Sequence, residues 1–503
     1  MVRVLIGLRR TIARHQLTGT STAALVVTAV LVLVTAVATL LTGWVSYARE
    51  ATATDVLALV SLLWIGGRIA QSALSGEPFL RPEMFSLLPL PRRRLGWSLL
   101  LAGLLDPANA LAAIALSAVL VHGIRLGPAA AVTAVFAVAL TVTAGSVLST
   151  VAAGLLGPGS RRGRDTGTVI VAILISLLAM AGTMLPALVS ALRHQSVPWL
   201  SGLLRALPTG WGPAAVAAAA HGDLAGALVP LLGLVLATVL AGGLLWPAVL
   251  GRRMEGTRPA RRGPARRTRR LAGLGTSATG AVAAKELRLW LREPVRLSCL
   301  VIAVIVGAGT GVLPRVTAGT GLLLPFAGTI TVVIAAACAC NLYGNDGSSM
   351  WLTVMTPGSA RADIRGRQAG WLIAVGPYAV TSTVILTPLS GHPEAWPWAL
   401  GLLTAILGGG AGLLTIGSLV CIQPLDAAGN PTPAWSLKVH VALAVVPLTA
   451  LPTALILVAD GGWLGVPAGG LTGAAFAIWL GRLAVTRLAD HQVSILHALA
   501  GAA

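Results

Sequence analysis

Apolar runs long enough to span a bilayer, each bounded by charge, proline or glycine, recur along the whole chain. A spanning helix needs about 20 apolar residues. On that length the pattern predicts helices at 22–44, 54–74, 97–121, 129–155, 168–192 and 224–250, and a second set at 297–314, 320–341, 370–390, 398–422, 439–459 and 464–486. The expected fold class is all-α: a polytopic helical membrane protein of about 12 transmembrane helices in two six-helix halves. An even count puts both termini on one side. The short separators at 45–53 and 315–319 are where two helices could merge or one could split.

The two halves are read as 1–250 and 281–503, joined by a basic cytoplasmic linker, 251–280, whose densest part is RRGPARRTRR at 261–270. Each half opens on a basic amphipathic stretch, VRVLIGLRRTIARH at 2–15 and AVAAKELRLWLREPVRL at 281–297. In the second, Lys285, Arg288 and Arg292 share one helical face and Leu287, Trp290 and Leu291 lie on the other side, the pattern of a helix lying in the membrane interface. Topogenic charge alone is the plainer reading, but recurrence of the pattern before both halves favours an interfacial helix opening each half. A second correspondence lies between the second and third spans of each half. Met84-Phe85, then Pro91 and arginines, is echoed by Met350-Trp351, then Pro357 and arginines, and Gly-Trp opens the next span in both (Gly96-Trp97, Gly370-Trp371). A duplicated six-helix unit accounts for both.

Composition supports a lipid solvent: 56% of residues are hydrophobic, 10% are charged, and the mean hydropathy is +0.85. The net charge of +20 raises the question of nucleic acid. If the amino terminus is inside, however, the inner loops hold 30 of the 36 basic residues. The outer ones hold 5 (Arg49, Arg125, Arg193, Arg205, Arg315), and Arg68 sits at the inner end of its helix. That bias predicts a multi-pass protein of the cell membrane with both termini cytoplasmic, and makes anionic headgroups, not nucleic acid, the partner of the charge. The amino-terminal apolar run is read as an uncleaved first helix. The four cysteines (Cys299, Cys338, Cys340, Cys421) sit in apolar stretches without metal-ligand spacing, so small buried hydrophobes is the expected role. No catalytic, metal or cofactor site is expected.

The chain resembles the permease subunits of type-2 ABC exporters, in the large fused two-half form. The residues that carry the resemblance are KELRLWLREPVRL before a span, the loop NLYGNDGSSMWLTVMTPGSARADIRGRQ at 341–368, its counterpart EPFLRPEMFSLLPLPRRR at 77–94, and SRRGRD at 160–165. The resemblance implies that the loop after the second helix of each half couples to a separate ABC ATPase subunit. The contact candidates are then Glu77, Arg81, Glu83 and Arg92 in the first loop and Asp346, Trp351, Arg361 and Arg365 in the second. An ordinary solvated loop is the alternative. Any ATP must bind on the partner: the only lysines, Lys285 and Lys438, stand in Ala-Lys-Glu and Leu-Lys-Val, and neither forms the Gly-Lys-Ser/Thr of a phosphate loop.

Two other classes compete. An ion-coupled secondary transporter would carry charges at helix centres, where each costs about 2.5–3.5 kcal/mol. The predicted centres are nearly free of charge, and Asp106 and Asn109 read as packing or lumen-lining residues. A membrane-embedded transferase would want paired carboxylates at the membrane face. Glu50 and Asp55 are the one outward pair, and a solvated loop is the simpler account of them. The outer segment from Arg193 to Asp223 is long and partly apolar, as an interfacial or re-entrant helical pair would be, and the second half has only a short counterpart near 460–463.

Overall fold

The computed structural model describes residue 7 and residues 20–47, 49–75, 85, 91–156, 161–194, 197–254, 277–356, 358–420, 422–423, 433–459 and 461–500. The described residues form helices and turns with no strand. The chain divides into two compact units, Met1–Ala260 and Arg261–Ala503.

In the first unit the helices are α1 (Thr20–Leu41), α2 (Glu50–Ser75), α3 (Arg92–Leu104), α4 (Pro107–Leu126), α5 (Pro128–Leu156), α6 (Arg161–Thr183), α7 (Leu185–His194), α8 (Pro198–Ala206), α9 (Pro208–Ala220), α10 (Leu224–Leu240) and α11 (Trp246–Met254). The second holds α12 (Ala278–Arg292), α13 (Pro294–Ala318), α14 (Ala327–Cys338), α15 (Leu342–Asp346), α16 (Trp351–Val354), α17 (Ser359–Leu389), α18 (Trp396–Leu419), α19 (Pro433–Val445), α20 (Leu451–Val458), α21 (Gly465–Asp490) and α22 (Gln492–Ala500). Among the described residues nine helices are long and apolar enough to cross a membrane, or ten if the bent pair α6–α7 is one span. The chain is therefore an all-α, multi-pass membrane protein by its helices. The count of twelve is not reached on this measure. The expected spans 22–44 and 320–341 fall on two shorter apolar helices, Ala29–Trp44 and Leu324–Cys338.

Three expected spans differ in form, each through a proline. The run 97–121 is broken: α3 ends at Leu104, and Asp106 starts α4 in an extended conformation (ψ 130°) with Pro107 in the first turn. Proline drives the preceding residue out of the helical region and is welcome at the first helical position. Asp106 then caps α4, its carboxylate accepting from the Ala108 N–H at 3.0 Å. The run 168–192 bends by 69° between Val169–Gly182 and Leu185–His194, with Pro186 just past the break. In the span Leu224–Gly251 a π-turn at Ala241–Leu245 precedes Pro247, which has no N–H to give the carbonyl of the preceding turn.

The residues from 198 to 220 form two helices, α8 and α9. Gly210, Gly212, Pro213, Ala215 and Val216 of α9 are buried, so α9 packs into the first unit against α2, α5 and α10. The second unit has in that place only a short turn at Gly462–Leu464. The repeated Gly-Trp pairs also part company. Trp371 is fully buried, whereas Trp97 is 51% exposed. In the first unit the buried indole beside the matching glycine is Trp246, whose Nε1–H donates to the Gly96 carbonyl at 3.0 Å.

Candidate functional site

The segment between α14 and α17 in the second unit carries Asp346 and Trp351, the start of α17 carries Arg361 and Arg365, and the whole is built on a buried cluster of charge. Asp346 closes α15. Its Oδ1 accepts from Arg296 Nη2 at 2.7 Å, and its Oδ2 accepts from Arg367 Nη2 at 2.6 Å and Lys285 Nζ at 3.1 Å. Glu286 pairs with Arg296 through a hydrogen bond and with Arg367 Nη1 at 3.1 Å. Arg367 Nε donates to Asp363 one helical turn away at 2.9 Å, and Arg296 Nε stands 2.8 Å from Glu293. The Glu286–Arg367 and Glu293–Arg296 approaches are ionic contacts and not aligned hydrogen bonds. Tyr343 completes the group, its hydroxyl donating to Asp363 and its ring lying 4.2 Å under the Arg367 guanidinium.

Three cations (Lys285, Arg296, Arg367) thus meet four carboxylates (Glu286, Glu293, Asp346, Asp363), and five of these seven side chains are no more than 5% exposed. Isolated charges at that depth would cost several kcal/mol each; saturation by opposite charge is what makes the arrangement tolerable. Burial works against ionisation of Asp346, but the positive charges of Arg367, Lys285 and Arg296 outweigh it and hold its carboxyl well below the usual carboxylate range. Glu293 goes the other way: burial raises its carboxyl, and the attraction of Arg296 does not fully offset that. The Tyr343 hydroxyl is pushed well above its ordinary value by burial and the adjacent Asp363 charge.

The cluster sits at helix ends. α17 has 31 residues, about 46 Å at 1.5 Å per residue, against a hydrocarbon core of about 30 Å. Asp363 and Arg367 lie in its first three turns, so they can stand outside the apolar slab. Helix α12 is held against α17 by close backbone approach: a Cβ on Gly366 would come within 2.4 Å of Val282 Cβ, and one on Gly370 within 2.8 Å of Glu286 Cβ. That contact buries Glu286 and Trp290 and leaves Leu291 59% exposed. The face that α12 turns to the protein is therefore not the apolar face of an isolated interfacial helix. It centres on Ala283, Glu286 and Trp290.

The structure separates the expected contact residues. Trp351 is 53% exposed on the one-turn helix α16, beside Leu352 and Met355 at 57% and 72%. Arg361 and Arg365, one turn apart on α17, are exposed. Asp346 is different: its side chain is 5% exposed and points inward, so it roots the segment and does not face a partner. Glu77, Arg81 and Glu83 lie outside the described residues, and Arg92 begins α3 with its side chain outside them. Sequence reading missed Glu286, Arg296, Asp363 and Arg367 as a group. The usable signal was the Asp363–Arg367 spacing of four on a helix, with a glutamate and an arginine either side of Pro294.

In the first unit Glu50 and Asp55, expected as a loop pair, both belong to α2 and have separate partners. Asp55 is buried and accepts from Arg205 Nε at 2.8 Å and Nη2 at 3.2 Å, while Glu50 stands 3.3 Å from His221. Asn109 is buried as a bridge: Arg68 donates to its oxygen at 2.9 Å, and its amide reaches the Gly103 carbonyl at 2.8 Å and Ser146 Oγ at 3.0 Å. Cys299, Cys338 and Cys340 are free and buried.

Compared with known proteins, the chain matches no family model, no curated protein and no solved structure.

Proposed function

We propose that this chain is the membrane-spanning permease subunit of an ATP-driven exporter, and that a separate ATPase subunit docks on the segment between α14 and α17. The observation that supports the reading is how that segment is made. Its tip presents Trp351, Leu352 and Met355 to the outside, while its root at Asp346 is clamped by three cations drawn from α12, α13 and α17. A docking lever needs both properties: aromatic and apolar surface for a partner, and a stiff attachment that passes a displacement to the helices behind it. Exposed Arg361 and Arg365 beside the tip suit an acidic rim on the partner. The loop at 77–94 is proposed as the matching contact of the first half. The basic bias of the loops supports a cell-membrane protein with these loops and both termini cytoplasmic.

A buried charge cluster is also what an ion-coupled transporter would carry. Here the carboxylates of Asp346 and Glu286 are each met by two or more cations, which suits a fixed clamp better than a site that exchanges a coupling ion. The deciding experiment is gentle affinity purification of the chain from its native membrane and identification of what accompanies it. Recovery of a protein with a phosphate-binding loop, weakened by Trp351→Ala, is expected. Absence of any such protein under conditions that keep other membrane complexes together would end the ATP-driven reading.

A further inference from the structure

The N-terminal end of α3 carries chemistry that the docking segment does not use. Helix α3 starts without a side-chain cap, because its N-cap residue is Pro91. The N–H groups of its first turn therefore point outward with the positive end of the helix dipole. Arg93 and Arg94 stand in that same turn, exposed, where cations are repelled by the dipole unless an anion lies between them. Neither arginine has a hydrogen bond or ion pair among the described residues. Pro91, Arg93, Arg94, Trp97 and Ser98 line a groove of about 610 Å³. Ser98 is only 7% exposed, lines that groove, and its hydroxyl has no hydrogen-bond partner among the described residues. An unpaired hydroxyl on a residue nine-tenths buried, beside two exposed guanidiniums and an uncapped helix start, makes a set of donors that suits an anion.

What continues from the groove names the kind of anion. Arg93, Trp97 and Leu101 follow one another at four-residue spacing along one side of α3, and Leu105 caps its C-terminal end. Trp97, Leu101 and Leu105 are 51%, 47% and 66% exposed. The order is guanidinium, indole, then aliphatic side chains: the order of headgroup, interface and hydrocarbon in a bilayer. Free phosphate would need the first part of this stripe and not the rest.

We propose that this groove is a binding site for an anionic phospholipid, with the headgroup phosphate held by Arg93, Arg94, the Ser98 hydroxyl and the first-turn N–H groups of α3, and the acyl chains running along Trp97, Leu101 and Leu105. The groove shares Pro91, Arg93 and Arg94 with the loop proposed as the first-half ATPase contact, but lipid retention by the purified chain is read without any ATPase, so the two readings fail separately.

The test is native mass spectrometry of the full chain in mild detergent, offered phosphatidylglycerol and phosphatidylcholine with identical acyl chains. The wild type should retain phosphatidylglycerol preferentially. Replacing both arginines (Arg93→Ala with Arg94→Ala) should lower that preference roughly tenfold or more, and Ser98→Ala, which removes no charge, should lower it several-fold. Arg361→Ala with Arg365→Ala, which removes equal charge elsewhere, should leave it unchanged. An unchanged preference in the Arg93/Arg94 variant, or an equal loss in the Arg361/Arg365 control, would overturn the site. Displacement of the lipid by inorganic phosphate at matched concentration would overturn its assignment to a lipid.

Discussion

Arg367 and Asp346, 21 positions apart, meet at 2.6 Å with neither side chain more than 5% exposed. One residue lies on α17 and the other ends the short helix α15, so this contact fastens the segment between α14 and α17 to a helix that continues across the predicted membrane. A buried pair of this kind is weak evidence of net stabilisation, yet it is expensive to halve.

Asp346→Asn should therefore destabilise the protein by about 3 kcal/mol, because Arg296 and Arg367 lose a shared counter-charge in a buried setting. Thermal unfolding followed by fluorescence size-exclusion chromatography measures this. A shift in Tm no larger than that of a surface Asp→Asn change would contradict the structure.

The two carboxylates with shifted titration give opposite pH signatures. Asp346 has a depressed value in the folded state, so its stabilisation is fully present above its ordinary value of 3.8 and is lost as pH falls through the folded value. Glu293 has a raised value, so its ionisation opposes folding above that value, and the opposition fades toward and below its ordinary 4.5. Stability against pH should accordingly show a smaller acid-side loss in Asp346→Asn. Glu293→Gln should improve relative to wild type as pH rises from about 4 to 7.

Helices α18 and α21 touch backbone to backbone. A Cβ on Gly473 would come within 2.4 Å of the Thr404 carbonyl oxygen, and one on Gly469 within 2.1 Å of the Gly401 carbonyl oxygen. Small residues permit that approach in a membrane, where packing replaces the hydrophobic effect. Gly473→Leu should lower stability by about 2 kcal/mol or more, whereas Gly470→Leu, with nothing within 4 Å of its Cβ position, should stay near wild type.

Trp351→Ala should leave thermal stability within about 0.5 kcal/mol of wild type, since the side chain is more than half exposed. If an ATPase docks there, the same variant should lose it. A fold defect together with lost association would point to a structural role for Trp351 in place of a docking one.

Arg205→Ala strands the buried Asp55 carboxylate on α2. Because Arg205 itself is half exposed, water screens part of the pair, and a loss of about 1–2 kcal/mol is expected. Adding Asp55→Asn should restore most of it, which a double-mutant cycle on Tm would register.

Fold class was legible in the sequence because transfer of a long apolar segment into lipid is an additive, local property of its residues. Runs such as 129–155 and 398–422 correspond to helices within a few residues on that basis alone. Local chemistry was also readable in principle: an aspartate before Pro107 caps a helix and interrupts an apolar run wherever it stands. The tertiary structure decided what depends on distant neighbours. Glu286, Arg296, Asp346 and Arg367 look like scattered loop charges until α12, α13, α15 and α17 bring them within hydrogen-bond reach. Likewise Trp97 and Trp371 have the same local sequence and opposite exposure, because burial depends on which helix arrives beside each. Hydropathy sums along the chain; ion pairing and burial arise between segments, and only the packed helices determine them.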